Sequence, residues 1–211
     1  MLLTIVDYGV GNLRSIAKSI EKANSDNNLN YSVKVSSNIK DVKKSDKIVL
    51  PGQGSFRACK EGIDNIKGLQ EELNESVLIQ KKPIYGICAG MQLFATIGHE
   101  EKKTTGLNWI AGEVIKLDLG SSKFKIPHMG WNELKVENVS SVFKDVINED
   151  HAYFIHSYEF IPENKKNVSI TTNHGKDIIA AVSLENIFGS QFHPEKSQKT
   201  GIKILTNFLN L

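Results

Sequence analysis

Short apolar runs alternate with amphipathic stretches through the first half of the chain. Leu2–Val6 has the unbroken apolarity of a buried strand, and Val33–Val35, Ile48–Leu50 and Ile84–Cys88 repeat it. Between them the period changes. Leu13, Ile16, Ala17, Ile20 and Ala23 recur at helical spacing behind Asn12, which is placed to cap that helix. A polar loop, Asn24–Asn30, follows it, and Leu69, Leu73 and Val77 mark one face of a later helix. Strand–helix alternation of this kind predicts a parallel sheet with helices on both sides. After Gly106 the pattern shifts to strands with few helices between them: Gly112–Leu117, Trp131–Val136, Ala152–Tyr158, Val168–Thr172, Ile178–Val182 and Phe188–Phe192. A closing helix carries Ile202, Leu205 and Leu209 on one side. The expected fold is α/β: a three-layer, mostly parallel sheet flanked by helices, with extra, partly antiparallel strands in the second half.

Composition narrows the functional classes. A chain of 211 residues with 40% hydrophobic and 24% charged residues supports one well-filled core, so a single domain over 1–211 is expected. The net charge of +2 comes from 26 basic and 24 acidic residues, and Lys43-Lys44, Lys81-Lys82, Lys102-Lys103 and Lys165-Lys166 are isolated pairs. That is a solvated surface rather than a nucleic-acid track. No segment approaches the roughly 20 apolar residues of a membrane helix. The opening MLLTIVDYG has neither a basic leader nor an apolar core of signal length. Cys59 and Cys88 are the only cysteines, so no disulfide framework is implied and a reduced, cytoplasmic protein is expected. The six histidines show no metal-ligand spacing, and no metal or cofactor is expected.

Cys88 raises the chemical question. Gly86-Ile-Cys-Ala-Gly90 fits G-x-C-x-G, the thiol form of the strand–turn–helix elbow that presents a catalytic serine in hydrolases. Glycines two residues either side relieve crowding at the turn. The helix that follows aims the Ala89 N–H at the sulfur's surroundings, favouring thiolate and supplying half an oxyanion hole. The motif alone also fits a small buried hydrophobe in a glycine-rich turn. His193 shifts the balance. It ends an apolar strand in GSQFHPEKS (189–197), Pro194 holds it extended, and Glu195 lies on the same side two residues on. A carboxylate there can fix the imidazole tautomer and stabilise the imidazolium, completing a Cys–His–Glu triad. LPGQGSF (50–56) follows a strand, and Gly52 and Gly54 let its amides approach a substrate as the second half of the oxyanion hole.

These residues resemble the class I, triad-type glutamine amidotransferases, most closely the glutaminase subunits of imidazole glycerol phosphate synthase. The likeness runs through DYGVGNLRS (7–15), LPGQGSF (50–56), GICAGMQL (86–93), TTGLNWIAGEV (104–114), KIPHMGWNEL (125–134), AYFIHSYEF (152–160) and GSQFHPEKS (189–197). It implies that Cys88 attacks the carboxamide of glutamine, with His193 as acid and base and Glu195 orienting it. Gly52, Gln53 and Ala89 would bind the oxyanion through backbone amides. Gln92, Glu100 and the backbone of Ser157 and Tyr158 would hold glutamine. Gly9, Asn12, His128, Met129, Trp131, Tyr153 and Lys196 would lie towards a separate (β/α)8 cyclase subunit in a heterodimer. For Met129 and Trp131, the sequence by itself favours core packing. Ala89 stands where relatives often carry a bulkier aliphatic residue and Gln53 where valine is frequent, but both positions act through N–H groups. The resemblance also implies a glutaminase coupled to its partner, with a peptide flip in PGQG as the candidate switch, each donor being worth roughly 3–4 kcal/mol. Two readings compete with it: a related amidotransferase of surface-sugar biosynthesis, and a stand-alone cysteine hydrolase. A non-catalytic interaction module is argued against by the intact Cys88, His193 and Glu195.

Overall fold

A computed structural model describes residues 1–120 and 123–211. The first half lays down β1 (Leu2–Val6), α1 (Leu13–Asp26), β2 (Ser32–Ser36), α2 (Ile39–Lys44), β3 (Lys47–Leu50), α3 (Phe56–Asp64), α4 (Leu69–Asn74), β4 (Ile84–Ile87) and α5 (Ala89–Gln92). The second half adds β5 (Ile97–Gly98), β6 (Thr104–Thr105), β7 (Gly112–Lys116), β8 (His128–Glu133), β9 (Lys135–Val136), β10 (His151–His156), β11 (Tyr158–Pro162), β12 (Val168–Asn173), β13 (Asp177–Leu184), β14 (Ile187–Ser190) and α6 (Gln198–Leu209).

The main sheet has the order β2-β1-β3-β4-β14-β13-β12-β9. From β2 to β14 every pairing is parallel; from β14 outward through β13 and β12 to β9 every pairing is antiparallel. The central strands are buried on both faces, which is why they read as continuous apolar runs. Side chains alternate between two cores. Leu3, Ile5, Val49, Tyr85 and Ile87 join Ile16 and Ile20 of α1 and Ile204 and Phe208 of α6. Val6, Ile48, Leu50 and Ile84 join Phe56 and Ile63 of α3 and Leu69 and Leu73 of α4. Three layers result.

The expected boundaries differ at four places. Helix α1 runs on to Asp26 instead of stopping at Asn24. There the Asn24 side chain is tied to the Tyr31 backbone at 3.0 and 3.1 Å, and Lys22 pairs with Asp26 one turn on at 2.9 Å. The expected strand Ala152–Tyr158 is two strands, split at Ser157. Its first part pairs with β8 in a separate ribbon, its second with β7 in a four-stranded sheet. Trp131–Val136 divides likewise at Leu134 between that ribbon and the edge of the main sheet. Strand β14 ends at Ser190, short of Phe192, because the Gln191 N–H turns to the Ala180 carbonyl at 2.8 Å.

Candidate active site

Strands β4 and β14 are parallel neighbours, with Ile87 opposite Ser190. Their carboxyl ends therefore release Cys88 and, three residues past β14, His193 on the same side of the sheet. The Cys88 N–H donates to the Ser190 carbonyl at 2.7 Å. Its backbone has φ 55° and ψ −115°, a conformation an L-residue holds only when the surroundings enforce it. The enforcement is visible at two glycines. A Cβ on Gly90 would stand 2.1 Å from the Leu50 carbonyl oxygen, and one on Gly52 would stand 2.0 Å from the Gly90 nitrogen. The two bare backbones press the loop after β3 against the elbow. Helix α5 spans only four residues, so the expected helix terminus is a single turn of N–H groups rather than a long dipole.

His193 Nδ1 lies 2.8 Å from Glu195 Oε1, and both side chains are almost wholly buried. Burial by itself lowers the imidazole pKa. Hydrogen bonds to Cys88 and Glu195, and their negative charge, outweigh it and raise the value to about 9. At neutral pH the ring is thus an imidazolium beside the sulfur, holding the proton a leaving amine needs. The alkaline limb of kcat/KM for glutamine hydrolysis is therefore expected with a midpoint near 9. Glu195→Gln should move it down, because one of the contributions that raise the value is gone. The same linkage gives stability that is full below the unfolded imidazole's ordinary pKa of about 6.5. It is lost as pH rises through about 9.

A cavity of about 360 Å³ opens over these residues, lined in part by Gln53, Cys88, Ala89, Gln92, Glu100 and His193. Ser157, Tyr158, Glu195, Asn12 and Lys196 complete much of its wall and rim. Several of the expected substrate holders already have internal partners. Gln92 Nε2 donates to the Tyr158 carbonyl at 3.1 Å and to Gln191 Oε1 at 2.8 Å, which leaves its Oε1 as an acceptor. Glu100 Oε2 accepts the Phe56 N–H at 2.7 Å, at the start of α3. The Ser157 carbonyl accepts from Leu117 at 2.9 Å. Behind the loop, Tyr8 OH donates to the Pro51 carbonyl and Cys59 Sγ lies 3.7 Å from the Gln53 carbonyl. Burial pushes the Cys59 thiol up to about 11, so it acts as a neutral donor.

The ribbon β8–β10 sorts the remaining residues by alternation. Met129 pairs with Ile155 and Trp131 with Tyr153. On that face Met129 is 58% and Trp131 47% exposed, so neither packs in the core. Lys196 Nζ sits 5.3 Å from the Tyr153 ring centroid, and Gly9 and Asn12 are also exposed. His128 departs from the expectation. It faces inward, 2% exposed and stacked on Phe154, and offers a partner no side-chain surface. Its Nδ1 lies 3.0 Å from His156 Nε2, and His156 Nδ1 lies 2.9 Å from the Tyr158 carbonyl. A carbonyl only accepts, so His156 carries its proton on Nδ1 and accepts at Nε2. Burial, with neighbouring histidines adding to it, lowers His128 to about 3. Burial likewise lowers His156 to about 4, so both rings stay neutral. His156 and Gln191 lie in the stretches 152–160 and 189–197 but receive no role from the sequence, although Gln191 shares its side of an extended segment with His193, two residues on.

Residues 4–211 match the family "Glutamine amidotransferase class-I". Over its 211 residues the chain is 49% identical to imidazole glycerol phosphate synthase subunit HisH of Pelagibacter ubique, covering 100% of both chains.

The chain belongs to the class-I glutamine amidotransferases, among the HisH subunits of imidazole glycerol phosphate synthase.

Other HisH subunits align as completely. The subunit of Cereibacter sphaeroides is 42% identical over 209 residues, covering 99% of this chain and 98% of that one. That of Brucella suis is 41% identical over 212 residues, with the same coverage of 99% and 98%. Solved structures share the fold. A glutamine amidotransferase superposes with a TM-score of 0.71 at 14% identity, covering 99% of both chains. A putative GMP synthase component from Thermoplasma acidophilum gives 0.66 at 18% identity, over 100% of this chain and 92% of that one. Among the described residues, no helix is long and apolar enough to cross a membrane.

Proposed function

We propose that this class-I amidotransferase is the glutaminase subunit of imidazole glycerol phosphate synthase. The observation that carries the reading is Cys88, held at φ 55° in the cavity that also holds the His193–Glu195 pair. The Cys88 thiolate adds to the carboxamide carbon of glutamine, and the amides of Gly52–Gln53 and Ala89 receive the oxyanion. The intermediate collapses as His193 protonates the departing nitrogen, releasing ammonia and leaving a glutamyl thioester. Water, deprotonated by His193, then hydrolyses the thioester to glutamate, releasing the Cys88 thiolate and leaving His193 protonated for the next cycle. Free ammonia in neutral water is mostly protonated and so not nucleophilic. It passes instead to a (β/α)8 cyclase subunit, docked over Met129, Trp131, Tyr153 and Lys196. The cyclase adds it to a phosphorylated ribulosyl formimino-carboxamide ribonucleotide. The products, imidazole glycerol phosphate and aminoimidazole carboxamide ribotide, belong to histidine biosynthesis in the cytoplasm.

The test is to mix the purified chain with its cyclase and follow glutamate release. The chain alone should turn glutamine over slowly, and the pair, with the cyclase ligand bound, at least about tenfold faster. Trp131→Glu should remove the acceleration by burying a charge at the interface. Fast turnover by the isolated chain, unaffected by the cyclase, would identify a stand-alone cysteine hydrolase instead.

A further inference from the structure

A glutamine with no assigned role touches the sulfur. Gln191 is fully buried, and its Nε2 lies 3.5 Å from Cys88 Sγ, an ordinary length for a donor to sulfur. Which end of a glutamine amide faces a neighbour must be established from its partners, and here the main chain settles it. The Tyr158 carbonyl can only accept, so the Gln92 atom 3.1 Å from it is the amide nitrogen. That nitrogen also lies 2.8 Å from Gln191, so the Gln191 atom there is the oxygen. The Gln191 nitrogen therefore faces Cys88. The same carbonyl also has His156 Nδ1 2.9 Å away, and His128 Nδ1 lies 3.0 Å from His156 Nε2. At the end of that chain, Asn132 Nδ2 lies 3.1 Å from His128 Nε2 and donates to the Asn173 carbonyl at 2.8 Å. Every donor in the two chains has one orientation, and both are fixed at one backbone oxygen.

We propose that Gln191 is a positioning residue for the nucleophile. Its amide, locked by Gln92 and the Tyr158 carbonyl, donates a hydrogen bond to Cys88 Sγ and holds the thiolate aimed into the cavity. A donor to a charged acceptor in a water-poor site favours the anion and fixes its direction. The Gln191 backbone is pinned as well, its N–H on the Ala180 carbonyl at 2.8 Å. The inference rests on Cys88 being the nucleophile.

Gln191→Met keeps the length and removes the donor. It should lower kcat for glutamine hydrolysis about 10- to 100-fold while KM changes less than about threefold. Alkylation of Cys88 by iodoacetamide at neutral pH, followed by mass spectrometry against the unmodified Cys88 peptide, should slow by about fivefold or more. Gln191→Glu still accepts from Gln92 but places a carboxylate against the sulfur, so both readouts should fall at least as far. A merely structural role predicts near-normal behaviour of this isosteric variant. If the methionine variant does not fold, Gln191→Asn, whose amide is one methylene short of the sulfur, takes its place with the same expectations. Normal kcat and normal Cys88 alkylation in a folded variant overturn the proposal. So does a fall in kcat with alkylation unchanged, which would put Gln191 on the substrate. Cys88→Ala measured in parallel separates the two readings. Hydrolysis retained there removes the nucleophile itself, whereas hydrolysis lost there with Gln191→Met unimpaired removes only the role of Gln191.

Discussion

Cys88→Ala is expected to lower glutamine hydrolysis on the order of 10⁴-fold or more, while synthesis driven by added ammonium salt continues at the wild-type rate in the complex. The split is the informative part. In the proposed mechanism the thiol forms the bond that carries the glutamyl group, and the other cysteine cannot replace it: Cys59 is buried, engaged with the Gln53 carbonyl and shifted away from the thiolate. The fold should survive, since Cys88 is small and alanine is close in volume. Its strained φ of 55° is imposed by neighbours that alanine leaves in place. Glutamate release and product formation, assayed separately on one preparation, check both halves. Retained glutamine hydrolysis would remove Cys88 from the mechanism.

Gly90→Ala is expected to cost both stability and activity, and activity far more. The added methyl would stand 2.1 Å from the Leu50 oxygen and 2.8 Å from the Pro51 oxygen, both backbone atoms that cannot rotate away. Overpacking of this kind costs about 1–3 kcal/mol, or roughly 2–12 °C in melting temperature for a chain of this size. The strain is relieved by parting the loop after β3 from the elbow. On the proposed role of the Gly52–Gln53 amides, that movement takes an oxyanion donor out of place. Misplacing one oxyanion donor costs about 10²- to 10³-fold in kcat. Calorimetry and steady-state kinetics should therefore show a modest drop in melting temperature beside a large drop in turnover. Equal, small effects on both would mean that the loop does not serve the oxyanion.

The parallel core was legible because strands buried on both faces, such as Leu2–Val6 and Ile48–Leu50, are apolar at every position. The split at Ser157 was not. Apolar positions continue through the break, and a change of sheet leaves no mark on a pattern that records only inside and outside. Asn24 misled for a related reason: asparagine reads as a loop residue, yet here its side chain satisfies the Tyr31 backbone from within the helix. At the candidate site, residue type and spacing singled out Cys88, His193 and Glu195, which the structure brings to one cavity. Gln191 carries no reactivity of its own, and its partner Gln92 lies on a distant stretch of chain, so only the fold reveals their bond. His128 shows the limit of reading a neighbourhood as a unit. Met129 beside it points outward, and the strand period turns His128 inward.

The placement of β14 next to β4 has a consequence for the chain as it is made. The ribosome delivers Cys88 long before His193, and domains fold from the amino end as they emerge. Until β14 pairs with β4, the thiol lacks the His193 imidazole and the Ser190 carbonyl that receives its N–H has not yet arrived. A nascent or truncated chain ending before β14 is therefore expected to hydrolyse no glutamine. On the proposed chemistry, half-built copies would spare glutamine.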